Sequence, residues 1–347
     1  MKPSGSLTYL PSLDALRAFA VCLVMYHHWV GPPDLPLGPI GVWIFFALSG
    51  FLITRILLTA RADTPGENRR ALLHFYGRRF LRIFPLYYFV LLVGFFLSEA
   101  LRRDWPWYVT YLQNYRMIWA SDPDSMFGVH LWTLAVEEQF YLVWPLLMLF
   151  LPRVLLLPTI TFAISVAIAL RAVCTATGWL PFQEYAFTPN NLDTLGLGAL
   201  LAYVVTYRPD RVVAVRWIAL AAGVVIGLTG SLVHTRMLGA ALMPVPTGLF
   251  AVCYIAYAVT GFPRVVRWAF EFPPSVYLGR VSYGVYIYHF FAPDFVRRFG
   301  LDDGSIPFLA ACFALTVAIA SASWHLLEKP INSLKSRFPM PGRCRQA

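Results

Sequence analysis

The chain has few charged residues for its length. Asp, Glu, Lys and Arg make up 13% of its 347 residues, against about 25% in a typical soluble domain, whereas 58% of the residues are hydrophobic. This balance excludes an ordinary soluble globular protein. Apolar stretches of about 20 residues, the length that crosses a bilayer, recur along almost the whole chain. They leave no extended polar region for a separate soluble domain.

These stretches predict an all-α, polytopic integral membrane protein with about ten transmembrane helices. A single transmembrane domain is expected over 1–335, followed by a basic cytoplasmic tail at 336–347. The ten predicted spans are 13–31, 38–60, 80–101, 130–151, 154–174, 190–206, 215–233, 239–259, 276–296 and 306–326.

Two further absences narrow the class of protein. The five cysteines are scattered and lie mostly in or beside predicted spans, so we expect small buried side chains and no disulfide framework or metal site. The chain also has no obvious internal repeat. Transporters built from inverted repeats often have paired broken helices, whereas this sequence has one candidate break, at Ser49-Gly50.

The basic residues lie mainly on one side of the predicted spans. If the N-terminus is cytoplasmic, 20 of the 28 Lys and Arg residues lie inside and seven lie outside. By the positive-inside rule this predicts that both termini are cytoplasmic and that the aromatic-rich 102–129 segment is external. Nucleic-acid binding is a poor alternative, because these residues flank spans and do not form one soluble basic face.

Arg17 and His28 lie in the first predicted span. They are eleven positions apart, which is roughly 16 Å along a helix and within about 20° of the same face. A cation and an imidazole on one stripe of a membrane helix are costly to bury, so a functional role is the first hypothesis. The alternative is that Arg17 reaches to the interface and His28 caps the far end.

A second basic cluster enters the third predicted span. Arg78 and Arg82 are four residues apart and Arg79 and Arg82 are three apart, so two or three guanidiniums share a face. Arginine binds phosphate bidentately, but such a cluster also suits a simple topology anchor. Because Arg82 lies deeper than orientation requires, both hypotheses stay open.

Glu137 and Glu138 begin the next polar group, which continues to Tyr141. Both carboxylates are predicted in the first two turns of a span that begins on the outer side. An isolated carboxylate in hydrocarbon costs several kcal/mol, so at least one needs a partner, and Arg17 and His28 are the candidates. Otherwise both are interface residues.

Two smaller groups also contain polar residues. Asp193 follows Asn190 and Asn191 at the start of the sixth predicted span, where it either caps the helix or contacts substrate. His289 ends a Ser-Tyr-Gly-Val-Tyr-Ile-Tyr-His run in the ninth span. That run indicates substrate contact, core packing or an interfacial belt.

Several motifs in order resemble the membrane-bound acyltransferase-3 family. They are Arg17 through His28, the Phe-Phe-Ala-Leu-Ser-Gly-Phe-Leu-Ile run at 45–53, Phe75 through Tyr88, the Trp-Thr-Leu-Ala-Val-Glu-Glu-Gln-Phe-Tyr run at 132–141, Ser282 through His289, and Glu328-Lys-Pro330. The resemblance covers roughly 8–335. It departs at Trp43, where the family usually has an acidic or polar residue, and we expect no appended esterase-like domain.

The resemblance implies an O-acyltransferase of the bacterial cell membrane, with surface polysaccharides, peptidoglycan, lipids or macrolides as acceptors. Acyl-CoA, often acetyl-CoA, is then the co-substrate, and no permanently bound cofactor or nucleic acid is expected. Acyl transfer to a hydroxyl needs a general base near neutral pH, for which His28 is our candidate. We expect Glu137, or else Glu138, to orient it.

The remaining candidates are assigned to substrate binding. Arg17 and Arg82, with Arg78 and Arg79 nearer the cytoplasm, are expected to hold the phosphates of the donor. Tyr141, Asp193 and His289 are further candidate contacts. Ser49 resembles a nucleophile, but the sequence lacks a strand–turn–helix elbow, so we interpret it as a helix break.

Two other classes of protein stay open at this stage. Intramembrane Arg, His and Glu also suit a transporter or flippase for a glycolipid or acyl carrier. A non-catalytic membrane sensor would tolerate the loss of His28. Consumption of acyl-CoA separates these classes from an acyltransferase.

Overall fold

The computed structural model describes residues 9–31, 36–120, 122, 125–178, 184–232 and 242–339. Helices dominate this part of the chain, and no strand occurs within it. The all-α prediction is therefore confirmed. The helices, in chain order, are α1 Pro11–Val30, α2 Leu37–Ala60, α3 Pro65–Leu97, α4 Glu99–Val109, α5 Gln113–Ile118, α6 Trp132–Phe150, α7 Arg153–Thr177, α8 Leu192–Tyr207, α9 Val212–Leu232, α10 Pro244–Thr260, α11 Arg264–Phe270, α12 Pro273–Arg280, α13 Ser282–Tyr288, α14 Ala292–Val296, α15 Ile306–Ser323 and α16 Lys329–Ser333.

The expected count of ten spans is not met. By length and composition, six helical stretches among the described residues can cross a membrane, or seven if the bent pair α10–α11 is one span. The predicted span 276–296 is divided among α12, α13 and α14. The predicted span 190–206 corresponds to α8, whose 16 residues extend about 24 Å, less than the roughly 30 Å hydrocarbon core.

Most of the segment 61–79, which lies between the second and third predicted spans, is helix. Thr64 accepts a hydrogen bond from the backbone N–H of Glu67, and its hydroxyl donates to the Glu67 carboxylate. Pro65 occupies the first turn, where its missing N–H costs nothing. Thr64 is thus the N-cap of a helix of 33 residues.

Helix α2 is at the centre of the fold. It packs against α1, α6, α8 and α10. In its most apolar stretch of 18 residues, 67% of the residues are buried, against 17% in the corresponding stretch of α7. The contact with α8 is backbone to backbone: a Cβ on Gly198 would lie 2.0 Å from the oxygen of Ala47. Helix α2 is continuous through Ser49 and Gly50, so the predicted break there is wrong.

Candidate functional site

A cavity opens between α1, α2, α3, α6 and α13. Its empty volume, including the part open to solvent, is about 880 Å³. One group of lining side chains is apolar and comes mainly from α2, and the other is polar. The polar lining residues are Arg17, Ser49, Arg79, Arg82, Thr133, Glu137, Glu138, Tyr141, Ser282, Tyr283 and Tyr286.

The cavity brings together three of the four predicted arginines. Arg17 forms an ion pair with Asp14, one turn earlier in α1, and Asp14 also accepts a hydrogen bond of 2.7 Å from the Tyr9 hydroxyl. Neither Arg79 nor Arg82 forms an ion pair with any described residue. Both guanidiniums are therefore available to an anion in the cavity.

The packing of Arg79 and Arg82 shows how they are presented. The Arg79 guanidinium lies 5.0 Å from the ring centre of Tyr141 and 5.6 Å from that of Phe75, so cation–π contacts orient it. Arg82 is one turn further along α3 and is exposed to the cavity. Because they are three residues apart, the two side chains share one face of α3.

Glu137 is hydrogen-bonded to a side chain of α2. The Ser49 hydroxyl donates to Glu137 Oε1, and the Tyr141 hydroxyl donates to Ser49 Oγ over 3.0 Å. The three residues form a chain of hydrogen bonds across the cavity. Glu138 Oε1 is buried and makes no hydrogen bond within the described part of the chain, so it can accept one from a ligand.

His28 lies beyond one end of this cavity, beside His289 and His130. Its Nδ1 is 2.9 Å from Nε2 of His289, and its ring centre is 6.4 Å from that of His130. His289 and His130 are both fully or almost fully buried. The pairing expected between His28 and Glu137 is therefore wrong, because His28 contacts His289 and Glu137 is hydrogen-bonded to Ser49.

Tyr286 separates the cavity from the histidines. Its hydroxyl shares a hydrogen bond of 2.7 Å with Thr133 and donates to the backbone oxygen of His130 over 2.8 Å. The Tyr286 ring lines the cavity on one side and lies 5.5 Å from the His289 ring on the other. The Tyr286–Thr133 pair thus forms a wall between two polar regions.

Two predicted site residues lie elsewhere. Asp193 is completely buried in an ion pair with Arg171, between α7 and α8, so its surroundings are those of a structural pair. Arg78 donates to the backbone oxygen of Phe338 over 3.2 Å and does not line the cavity, in contrast to Arg79 and Arg82.

Sequence reasoning did not identify the contacts of several residues that contribute to the site. Asp14 could have been found, because an acid three residues before Arg17 on an apolar helix indicates an ion pair. His130 was visible as an ionisable residue beside a span. Ser49 and Tyr286 carry no comparable signal, since their importance lies in contacts with other helices.

The described fold and cavity define a polytopic membrane protein with a cluster of polar side chains in a cavity between its helices. The family model described as an acyltransferase domain matches residues 10–325. The chain therefore belongs to this acyltransferase family, as the resemblance predicted. No solved structure matches the chain.

Two curated bacterial relatives are similar over most of the chain. The peptidoglycan O-acetyltransferase OatA of Listeria monocytogenes is 31% identical over 94% of this chain and 56% of its own length. The O-acetyltransferase OatA of Staphylococcus aureus is 29% identical over 93% of this chain and 57% of its own length. The chain thus spans just over half the length of these relatives. Together with the apolar helices, they make it a multi-pass protein of the bacterial cell membrane, as predicted.

Proposed function

We propose that the protein transfers an acetyl group from acetyl-CoA to a hydroxyl of a carbohydrate acceptor, with peptidoglycan as the acceptor. The observation that carries the proposal is the pair of cations, Arg79 and Arg82, which face the cavity and form no ion pair within the described part of the chain. A nucleotide with several phosphates supplies the missing anions. The printed names of the relatives support the acetyl group and the acceptor.

Arg17 lines the same cavity as Arg79 and Arg82, and its distance from His28 fits the donor. Helix α1 is continuous from Pro11 to Val30, so Arg17 and His28 are roughly 16 Å apart along its axis. The arm of coenzyme A between its pyrophosphate and sulfur has about thirteen bonds. At roughly 3.6 Å for every three bonds of an extended chain, it also spans about 16 Å.

The middle of the cavity suits the two amides of that arm. Glu138 Oε1 accepts a hydrogen bond from one amide N–H of the arm, and the hydroxyls of Ser49 and Tyr141 form hydrogen bonds with the other amide. The apolar side chains of α2 cover the methylene groups. The acyl end must then pass Tyr286, so the Tyr286–Thr133 hydrogen bond has to open before the thioester reaches His28.

His28 then acts as the general base. It accepts the proton of the acceptor hydroxyl while the oxygen attacks the thioester carbonyl. The carbon–sulfur bond breaks, an ester forms, and the sulfur of coenzyme A leaves as a thiolate that takes up a proton. The acceptor enters from the outer end, where α1 ends at Val30.

The test is acceptor-dependent release of coenzyme A thiol by purified protein in lipid nanodiscs. We expect His28→Ala to lower the rate by roughly 10²–10⁴-fold, the usual contribution of a general base. His27→Ala is the matched control, because its ring packs against Gly38 on α2, away from His289. A wild-type protein that consumes no acyl-CoA with any carbohydrate acceptor would overturn the proposal in favour of a carrier. Equal losses in both variants would reject His28 as the base.

A further inference from the structure

His28 and His289 are hydrogen-bonded to each other, and the partners of His289 determine which of the two rings donates. We infer that His289 is a positioning residue that fixes the tautomer of His28, so that Nε2 of His28 is the basic nitrogen. The inference rests on the proposed role of His28 as the base. It replaces the carboxylate that usually orients a catalytic histidine with a second, neutral imidazole.

The first step concerns His289 alone. Its Nδ1 is 2.6 Å from the backbone oxygen of Tyr286. A carbonyl oxygen can only accept a hydrogen bond, so Nδ1 of His289 carries the proton. A bare nitrogen at that distance would place two lone pairs against each other.

The second step passes this assignment to His28. A neutral imidazole has one protonated nitrogen, so Nε2 of His289 is an acceptor. Nδ1 of His28 lies 2.9 Å from it and must therefore donate. The proton of His28 is then on Nδ1, and its Nε2 keeps the lone pair that a general base requires.

The surroundings hold this arrangement in place. The Trp29 indole N–H donates to the backbone oxygen of His289 over 3.0 Å, which ties the end of α13 to the end of α1. His289 is fully buried. His27 and His130 also lie beside the pair, with ring centres 5.8 Å from His28 and 5.0 Å from His289 respectively, and the Tyr286 ring lies 5.5 Å from that of His289. No carboxylate forms an ion pair with either histidine among the described residues.

This arrangement has a consequence for the reaction. When His28 takes up the acceptor proton, its Nδ1–H points at the lone pair of His289, which stabilises the imidazolium. Glu137 is engaged with Ser49 and is not required for that purpose. The role of His289 therefore affects turnover, while donor binding depends on the arginines.

Two substitutions of His289 separate positioning from packing. His289→Phe keeps the ring volume and removes the acceptor, and His289→Gln places an amide oxygen near the position of Nε2. We expect His289→Phe to lower kcat by about 10²-fold or more, with KM for acetyl-CoA changed less than about threefold. His289→Gln should recover at least about tenfold of that loss. His27→Gln, with a similar change on the neighbouring residue, should leave both constants near the wild type.

A measurement without catalysis tests the tautomer directly. In protein labelled with ¹⁵N-histidine, nitrogen NMR in nanodiscs should show His28 with a protonated Nδ1 and a bare Nε2, with its signals assigned by their loss in His28→Ala. In His289→Phe this preference should disappear. A bare Nδ1 on His28 in the wild type, or full kcat in His289→Phe, would overturn the inference. Absence of acyl transfer with the expected tautomer would instead reject the proposed function.

Discussion

A Cβ built on Gly50 would lie 1.9 Å from the backbone oxygen of Leu195. The backbones of α2 and α8 therefore touch at this point, and no side chain fits between them. The residue before Gly50 is Ser49, whose hydroxyl bonds Glu137 in the cavity. The close packing on one face of α2 thus determines where the hydroxyl on another face lies.

Gly50→Ala should therefore be damaging. The added methyl group must push α2 and α8 apart, since the atom it meets is backbone, and we expect a loss of stability of about 1–3 kcal/mol, as for other overpacked cores. Thermal unfolding in detergent measures the change. Gly66→Ala is the control, because nothing lies within 4 Å of its Cβ position and alanine favours the helix. Equal melting temperatures in the two variants would contradict the packing argument.

Arg82→Lys distinguishes a phosphate ligand from a topology anchor. Lysine keeps the charge but loses the planar fork, so we expect normal insertion and weaker binding of acetyl-CoA by about 1.5–3 kcal/mol. Acetyl-pantetheine, which lacks the nucleotide, should be affected much less. Arg78→Lys is the control, since Arg78 donates to a backbone oxygen outside the cavity. Unchanged affinity would make Arg82 an anchor only, and equal impairment with both donors would place it in the chemistry or the fold.

Asp193→Asn should reduce stability without changing substrate affinity. It removes the negative charge of Asp193 from beside the buried guanidinium of Arg171, and breaking a buried ion pair in this way costs about 3–5 kcal/mol. The yield of monodisperse protein and its melting temperature should fall, while KM values of the folded fraction stay near the wild type. Replacing both partners by Leu and Met should recover part of the loss. A raised KM at an unchanged melting temperature would return Asp193 to the substrate site.

The orientation predicted from the basic residues can be tested by labelling. In a cysteine-free background, Asp122→Cys should react with an impermeant maleimide in intact cells, and Arg69→Cys should react only after permeabilisation. Both positions are exposed. Asn68, next to Arg69, would be a poor labelling position, because it is buried and hydrogen-bonded to Ala62. Reversed labelling would place the arginines on the external side.

Local spacing predicted the parts of the site that lie on one helix. Arg79 and Arg82 share a face of α3, as their spacing predicted, and both line the cavity. Glu137 was chosen as the partner of His28 on a different ground, because a carboxylate usually orients a catalytic histidine. The structure instead places His289, directly after α13, against His28, and helical periodicity carries no information about which distant segment supplies a contact.

The count of spans failed for a related reason. Apolarity alone does not distinguish one long helix from short consecutive ones, as in α12, α13 and α14. No proline marks the break between α12 and α13 at Val281. The break allows two contacts with other helices, that of Tyr286 with Thr133 and that of His289 with His28. Contacts of this kind cannot be read from the apolar pattern of the sequence.

Under the proposed function, the continuity of α1 limits which thioesters can serve as donors. Because Arg17 and His28 belong to one unbroken helix, the axial distance between them is fixed at roughly 16 Å. A donor with a shorter linker would leave its carbonyl inside the cavity, beside Ser49 and the carboxylates, where no histidine can accept the acceptor's proton. A donor of the right length keeps its nucleotide at one end of the helix while its acyl carbon reaches the other. Under the proposed function, the acyl group is thus transferred roughly 16 Å from the arginines without movement of the nucleotide.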